Sequence, residues 1–217
     1  MYQQFKIDDL NSKGFIEIKN FFDESLKNEI LKEVEEIIEI GRDHNLVLTD
    51  SKLNNYTLGN LDQKESFKNI IEKIFEFENL KFEYKDKYRV LRILNGKESD
   101  SDNKNFHFDG YHLTCMFPLI IPHGKEKDNG NFFLIPNLRK IFKNKILNLT
   151  VKFLYQNKLA KLFYKTSLFT FFFKPLEIKP LPDSLFIFRG FNSLHGSGNL
   201  GKNKKRVTLL YHFLKLK

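Results

Sequence analysis

From about Lys87 onward the sequence abandons helical spacing and breaks into short runs dense in β-branched and aromatic residues, punctuated by Gly, Pro, Asn and Asp. KYRVLRIL, FHFDGYHLTCMFPLIIP, GNFFLIP, EIKPL, SLFIFRG and RVTLLYHFLKL each have the length and composition of a strand. Before them the spacing is different. GFIEIKNFFDESLKNEILKEVEEIIEIG reads as a short strand, Phe15 to Ile18, followed by a helix with Asp23 as N-cap, Leu26, Ile30, Val34 and Ile38 four apart, and Gly41 as its stop. A second helix is expected over Lys64 to Phe77, and the Asn/Asp/Ser/Thr-rich residues 42 to 63 read as a loop that could border a site. Helices first and then a run of strands predicts an α+β fold built on a sheet sandwich or barrel. With 217 residues and no internal repeat or linker, residues 1–217 read as one domain.

Residues 138 to 175 interrupt the strands with a helical insertion. Phe142, Ile146, Leu149, Phe153, Ala160 and Phe163 fall near one helical face, and Lys143, Lys145, Lys152, Lys158, Lys161 and Lys165 lie elsewhere. Residues 138–217 hold 17 Lys/Arg against only Glu177 and Asp183, whereas residues 1–137 carry a net −6. This asymmetry points to an anionic partner, although AT-rich codon drift also enriches lysine. For the insertion two expectations stand: a lid or packing layer over the barrel, or a segment in peripheral contact with an anionic membrane. No stretch of about 18 uncharged apolar residues is present, so no membrane span is expected. The lone Cys115 excludes an internal disulfide and a Cys-rich zinc site, and it reads as a small core residue. A cytoplasmic setting fits best, peripheral at the inner face of a membrane if the insertion docks there.

Chemistry concentrates in NFHFDGYHLT, residues 105 to 114. Along a strand, residues i and i+2 share a face, so His107 and Asp109 project together while Phe108 goes to the other layer. Such a triplet is weak evidence alone, since a strand histidine is more often structural. Far downstream, RGFNSLHGSGN supplies His195, and Arg206 opens another strand. His107, Asp109 and His195 can form a 2-His-1-carboxylate triad, which holds Fe(II) on one face and leaves three positions open. A 2-oxo acid chelating that metal needs a cation for its far carboxylate, and Arg206 offers a bidentate fork; Thr208, two residues on, can add a hydroxyl.

The HFD…HGSGN…R arrangement, with Arg206 eleven positions after His195, resembles the phytanoyl-CoA dioxygenase-like branch of the Fe(II)/2-oxoglutarate-dependent oxygenases. The opening GFIEIKNFFDESLKNEI is similar to that family's first strand and helix. The resemblance covers most of the chain outside residues 138 to 175. It implies a double-stranded β-helix, a jelly-roll or cupin-like barrel, with N-terminal helices packed on one sheet. By position it implies metal ligation by His107, Asp109 and His195, and 2-oxoglutarate binding by Arg206 with help from Ser197. It also implies a basic or hydroxyl residue from the strand before HxD, for which Tyr88, Arg89 and Arg92 are the candidates. The activity implied is a dioxygenase that hydroxylates its substrate while 2-oxoglutarate is converted to succinate and carbon dioxide. Because Asp109 is retained, hydroxylation is favoured over halogenation. The expected substrate is anionic: a small molecule, an acyl compound, or a lipid- or glycan-linked molecule.

A cupin-like metal protein or non-oxidative isomerase is the second reading. Nucleic acid is not expected as a partner, because the branch that repairs it carries a further arginine six residues after the first, where this chain has His212. His44, His123 and His212 are expected in surface or structural roles. Tyr111 is expected on the face of Asp109, and His112 and Thr114 on the opposite face from His107, all as packing or supporting residues. Arg139 and Arg189 are expected at strand ends near the barrel mouth, where they could grip an anion.

Overall fold

A computed structural model of the chain describes residues 5–41, 44–83, 86–97, 105–122 and 128–215. In chain order its elements are α1 (Asp9–Ser12), β1 (Phe15–Ile18), α2 (Glu24–Gly41), β2 (Leu46–Thr49), two 3-10 turns (Asp50–Leu53 and Thr57–Gln63), α3 (Glu65–Phe77), β3 (Lys87–Asn95), β4 (Tyr111–Ile120) and β5 (Phe132–Ile135). There follow α4 (Lys145–Gln156), α5 (Lys158–Tyr164), α6 (Ser167–Phe173), β6 (Leu176–Ile178), β7 (Leu185–Phe188), β8 (Leu194–Ser197) and β9 (Lys205–Lys215). The strands form two antiparallel sheets, a larger one ordered β1-β7-β4-β9-β3-β2 and a smaller one ordered β6-β5-β8. This is the α+β double-sheet architecture expected from the sequence.

The central strand β9 shows how the layers are specified. Val207, Leu209, Tyr211 and Phe213 are fully buried and join the core that includes Ile30 and Val34 of α2 and Phe67, Ile71 and Ile74 of α3. The intervening Arg206, Thr208, Leu210 and His212 face a cavity on the other side of the sheet. One face of the strand thus builds the core against the helices, and the other builds the site. Asp23 caps α2 as expected, its Oδ1 accepting from the Leu26 backbone N–H at 2.8 Å.

Several expectations are corrected. The stretch read as one strand from Phe106 does not form one: β4 begins only at Tyr111, and residues 105–110 run extended with a single bridge pairing His107 with His195. Residues 44–63, within the expected loop, contain β2, paired with β3 as the sheet's edge, and the two 3-10 turns; residues 42 and 43 lie outside the described residues. None of residues 44–63 lines the cavity. Within the HGSGN segment, His195 to Ser197 belong to strand β8. The insertion is helical, as expected, but its expected apolar face is divided. Phe142, Ile146, Leu149 and Phe153 are exposed, while Ala160 and Phe163 pack with the buried Tyr164 and Phe169 against Phe106, Phe108, Ile135 and Leu194. The α4 part of that face points outward because Tyr155, Tyr164 and Phe169 fill the space against the rings flanking His107.

Candidate metal centre

Two segments supply the candidate ligands. His107 and Asp109 come from the extended approach to β4, and His195 from β8. The two histidines are joined through their backbones: His107 N–H donates to His195 C=O at 2.8 Å, and His195 N–H to His107 C=O at 3.0 Å. Asp109 is anchored by its own N–H donating to Gly190 C=O at 3.0 Å. Their ligand atoms all lie within 4.8 Å of one another. Asp109 Oδ1 is 3.6 Å from His107 Nε2 and 3.5 Å from His195 Nε2. These separations are too long for hydrogen bonds between the groups and suit donors that converge on a shared cation.

The outer contacts orient the set. His107 Nδ1 sits 3.1 Å from Asn105 C=O and His195 Nδ1 2.9 Å from Ser193 C=O. A carbonyl can only accept, so each Nδ1 carries the proton and each Nε2 turns a lone pair to the centre. Thr114 Oγ1 donates to Asp109 Oδ2 at 2.5 Å and lies 3.1 Å from His212 Nδ1. Gly190 leaves the room for this carboxylate, since a Cβ there would lie 2.3 Å from both Asp109 Oδ2 and Thr114 Oγ1. The electrostatics agree. Burial opposes ionisation of Asp109, yet His195 and His212 outweigh it and hold the carboxyl well below its usual range. Burial, then the charge of His195, pushes His107 down to about 4. His195 is raised, with burial working against it and Asp109 prevailing.

Arg206 lines the same cavity. It is buried, with Nη1 donating to Gly130 C=O at 2.7 Å and to Ser197 Oγ at 2.6 Å. Its Nε has no hydrogen-bond partner among the described residues, and Nη2 has only a 4.0 Å contact with Met116 Sδ. Burial, then the neighbouring charge of Arg92, lowers its pKa to about 10. A buried guanidinium with unused donors fits an anionic ligand. Ser197, Thr208 and Arg92 line the same cavity of about 120 Å³, with Phe132, Phe188, Met116 and Leu210 as apolar wall.

The three candidates on β3 are thereby separated. Arg92 faces the cavity, Tyr88 stacks parallel to Tyr111 at 5.9 Å, and Arg89 turns to the other face, where its Nη1 donates to Gly59 C=O at 2.5 Å. His212, expected in a structural role, lines the cavity and lies 3.6 Å from Asp109 Oδ2. Its signal was available, since it stands six residues after Arg206 and therefore on the same strand face. Thr114 touches Asp109 rather than pointing away from the His107 side, because the chain does not hold strand alternation through Gly110. His112 pairs with Glu78 instead, and Tyr111 stacks on His212 at 5.4 Å. Cys115 is a buried core residue, His44 is exposed, and His123 lies outside the described residues.

Neither arginine offered as an anion grip is placed for one. Arg139 is buried between the rings of Phe108 and Phe191, at 4.4 and 3.8 Å, and donates to Phe191 C=O. Arg189 binds Glu78, Leu10 C=O and Asn11.

No protein-family model matches the chain, and no curated protein does. Solved structures do. The chain aligns with a prolyl 4-hydroxylase from Phytophthora capsici at TM-score 0.62 and 16% identity, covering 97% of this chain and 62% of that one. It aligns with a Pseudomonas putida prolyl-4-hydroxylase at TM-score 0.60 and 12% identity, covering 97% of each. The chain shares the two-sheet fold of these hydroxylases. A third match is SnoN, a non-heme alpha ketoglutarate dependent epimerase from nogalamycin biosynthesis, at 11% identity. Its complex with Fe3+, alpha ketoglutarate and nogalamycin RO aligns at TM-score 0.58, covering 96% of this chain and 82% of that one. Within this fold the chain brings together His107, Asp109 and His195, a set that could hold a metal ion.

Proposed function

We propose that the chain is a non-haem Fe(II)- and 2-oxoglutarate-dependent dioxygenase that hydroxylates an anionic substrate, with residues 1–217 acting as one unit. The observation that carries the proposal is the pairing, within one cavity, of a convergent His/Asp/His set and a buried arginine with unused donors. His107, Asp109 and His195 are the residues that would hold Fe(II). With 2-oxoglutarate and dioxygen, that metal supplies the oxidising chemistry, and succinate and carbon dioxide are the co-products.

The remaining work belongs to the protein. Asn105 and Ser193 carbonyls keep the imidazole lone pairs turned inward. Thr114 restrains one oxygen of Asp109. Arg206, steadied by Ser197 and joined by Thr208, would take the distal carboxylate of 2-oxoglutarate, with Arg92 adding positive potential on the same wall. Phe132, Phe188 and Met116 supply apolar wall to the same cavity. The HGSGN…R pattern supports the phytanoyl-CoA dioxygenase-like branch, and the basic C-terminal residues support an anionic acyl, glycan or lipid-linked substrate.

Anaerobic calorimetry with Mn(II) followed by 2-oxoglutarate, together with succinate release in air, tests the reading. Wild type is expected to bind both in that order and release succinate. His107→Ala and Asp109→Ala should lose metal and turnover together. Metal binding with no affinity for 2-oxoglutarate would favour a cupin-like metal protein instead.

A further inference from the structure

The three helices of the insertion present an apolar surface that the rest of the molecule leaves uncovered. Of the eighteen large apolar side chains exposed among the described residues, twelve fall between Ile141 and Phe172. They recur at helical spacing on each helix. On α4 these are Ile146, Leu149 and Phe153, which are 74, 66 and 68% exposed; Leu159 and Leu162 continue the surface on α5, and Leu168 and Phe171 on α6. Scattered surface leucines need no explanation, but a contiguous concentration of this kind marks an interaction site.

The helices do not depend on that surface for their order. Asn144, Asn157 and Thr166 each cap one of them by accepting a backbone N–H. Their opposite sides are fixed to the barrel by Tyr164 and Phe169 packing on Phe106, and by Tyr155 packing edge-on against Phe108. Charge selects among the occupants of the outer surface. Residues 138–175 contain eight lysines and Arg139 and no Asp or Glu. Lys140, Lys143, Lys145, Lys158, Lys161 and Lys165 are exposed. A second copy would set this positive segment against itself, which like-charge repulsion disfavours. Exposed Leu and Phe among lysines, on short helices with no acidic residue, match the chemistry of an anionic bilayer surface: acyl boundary for the apolar side chains, headgroups for the ammonium groups.

We propose that residues 141–172 form an interfacial docking surface for an anionic phospholipid bilayer. Docking sets the iron-site segment one helical layer from the membrane, since Gln156 Nε2 of α4 donates to Phe108 C=O, between His107 and Asp109. Among the described residues no helix is long and apolar enough to cross a membrane, so attachment is peripheral.

The test is flotation of the full chain with vesicles of phosphatidylcholine alone or mixed with phosphatidylglycerol. The expected result is partitioning onto the mixed vesicles at least about tenfold over the neutral ones, falling steeply at high salt. Phe153→Ser/Phe171→Ser and Lys143→Gln/Lys145→Gln/Lys161→Gln should each reduce it about tenfold with an unchanged unfolding temperature. Three results overturn the proposal: no binding to mixed vesicles at low salt, equal binding to both kinds, or a dimer that the Phe substitutions dissolve without any vesicle binding. Neither metal nor 2-oxoglutarate enters this measurement, so its outcome is independent of the oxygenase reading.

Discussion

Gly190 controls the site without contributing a side chain to it. Its missing Cβ is the space that Asp109 and Thr114 occupy, so Gly190→Ala must displace the carboxylate from the two imidazoles. The expected result is a loss of about 10–100-fold in Mn(II) affinity by calorimetry, with Arg206 and its partners unaffected. Arg206→Lys keeps the charge but replaces a planar fork with a point charge. It should cost about 2 kcal/mol in 2-oxoglutarate binding, roughly thirtyfold in Kd, while metal affinity stays at the wild-type level. The residues that sequence could identify were those whose type is unusual for their place: two histidines, an aspartate and an arginine at strand positions. Thr114 and His212 were not legible in the same way. Thr114 reaches Asp109 through a break in strand alternation at Gly110, and His212 resembles any half-polar strand residue until its register with Arg206 is used.

Among the elements, Glu78 at the end of α3 ties three parts of the chain together. Its carboxylate is buried between His112 on β4 and Arg189 beyond β7, and Arg189 reaches on to the α1 backbone. Burial opposes ionisation of Glu78, but His112 and then Arg189 prevail and its pKa is lowered. A carboxyl depressed in the folded state stabilises fully above its unfolded value near 4.5 and loses that contribution as pH falls through the folded value. Glu78→Gln should therefore destabilise by about 3 kcal/mol near neutrality, where it leaves the largely buried Arg189 guanidinium uncompensated. The gap from wild type should narrow as urea unfolding is repeated below pH 4.5. Elements differed in how readable they were. The helices α2 and α3 and strands β3 and β9 carry uninterrupted periodicity and were legible to within a residue or two. The edge strand β2 was hidden because its Leu-Val-Leu-Thr lies within a polar, turn-rich stretch, and only pairing with β3 makes it a strand. The insertion misled in a different way. Both sides of its helices are apolar, and periodicity alone cannot say which side meets the barrel.

The whole molecule should register its ligands as stability. At a hundredfold excess over Kd, a ligand bound only by the folded state contributes about 2.7 kcal/mol, which for a chain of this length raises Tm by about 5–10 °C. Mn(II) with 2-oxoglutarate is expected to produce such a shift in wild type and none in Asp109→Ala. A shift that survives in the variant would mean that the metal binds elsewhere. The α+β layering was legible from the order of patterns along the chain. What the order could not convey was that the two faces of one sheet divide the work, with odd-numbered residues of β9 in the core and even-numbered ones in the cavity. The backbone bridge between His107 and His195 carries a last consequence. It joins positions 88 residues apart in the chain, and a slip of β8 by one residue would turn His195 to the other side of its sheet. A cation that requires both imidazoles therefore discriminates between correctly threaded and misthreaded barrels. On the proposed metal-binding reading, metal supplied during refolding would proofread strand register before serving the finished site.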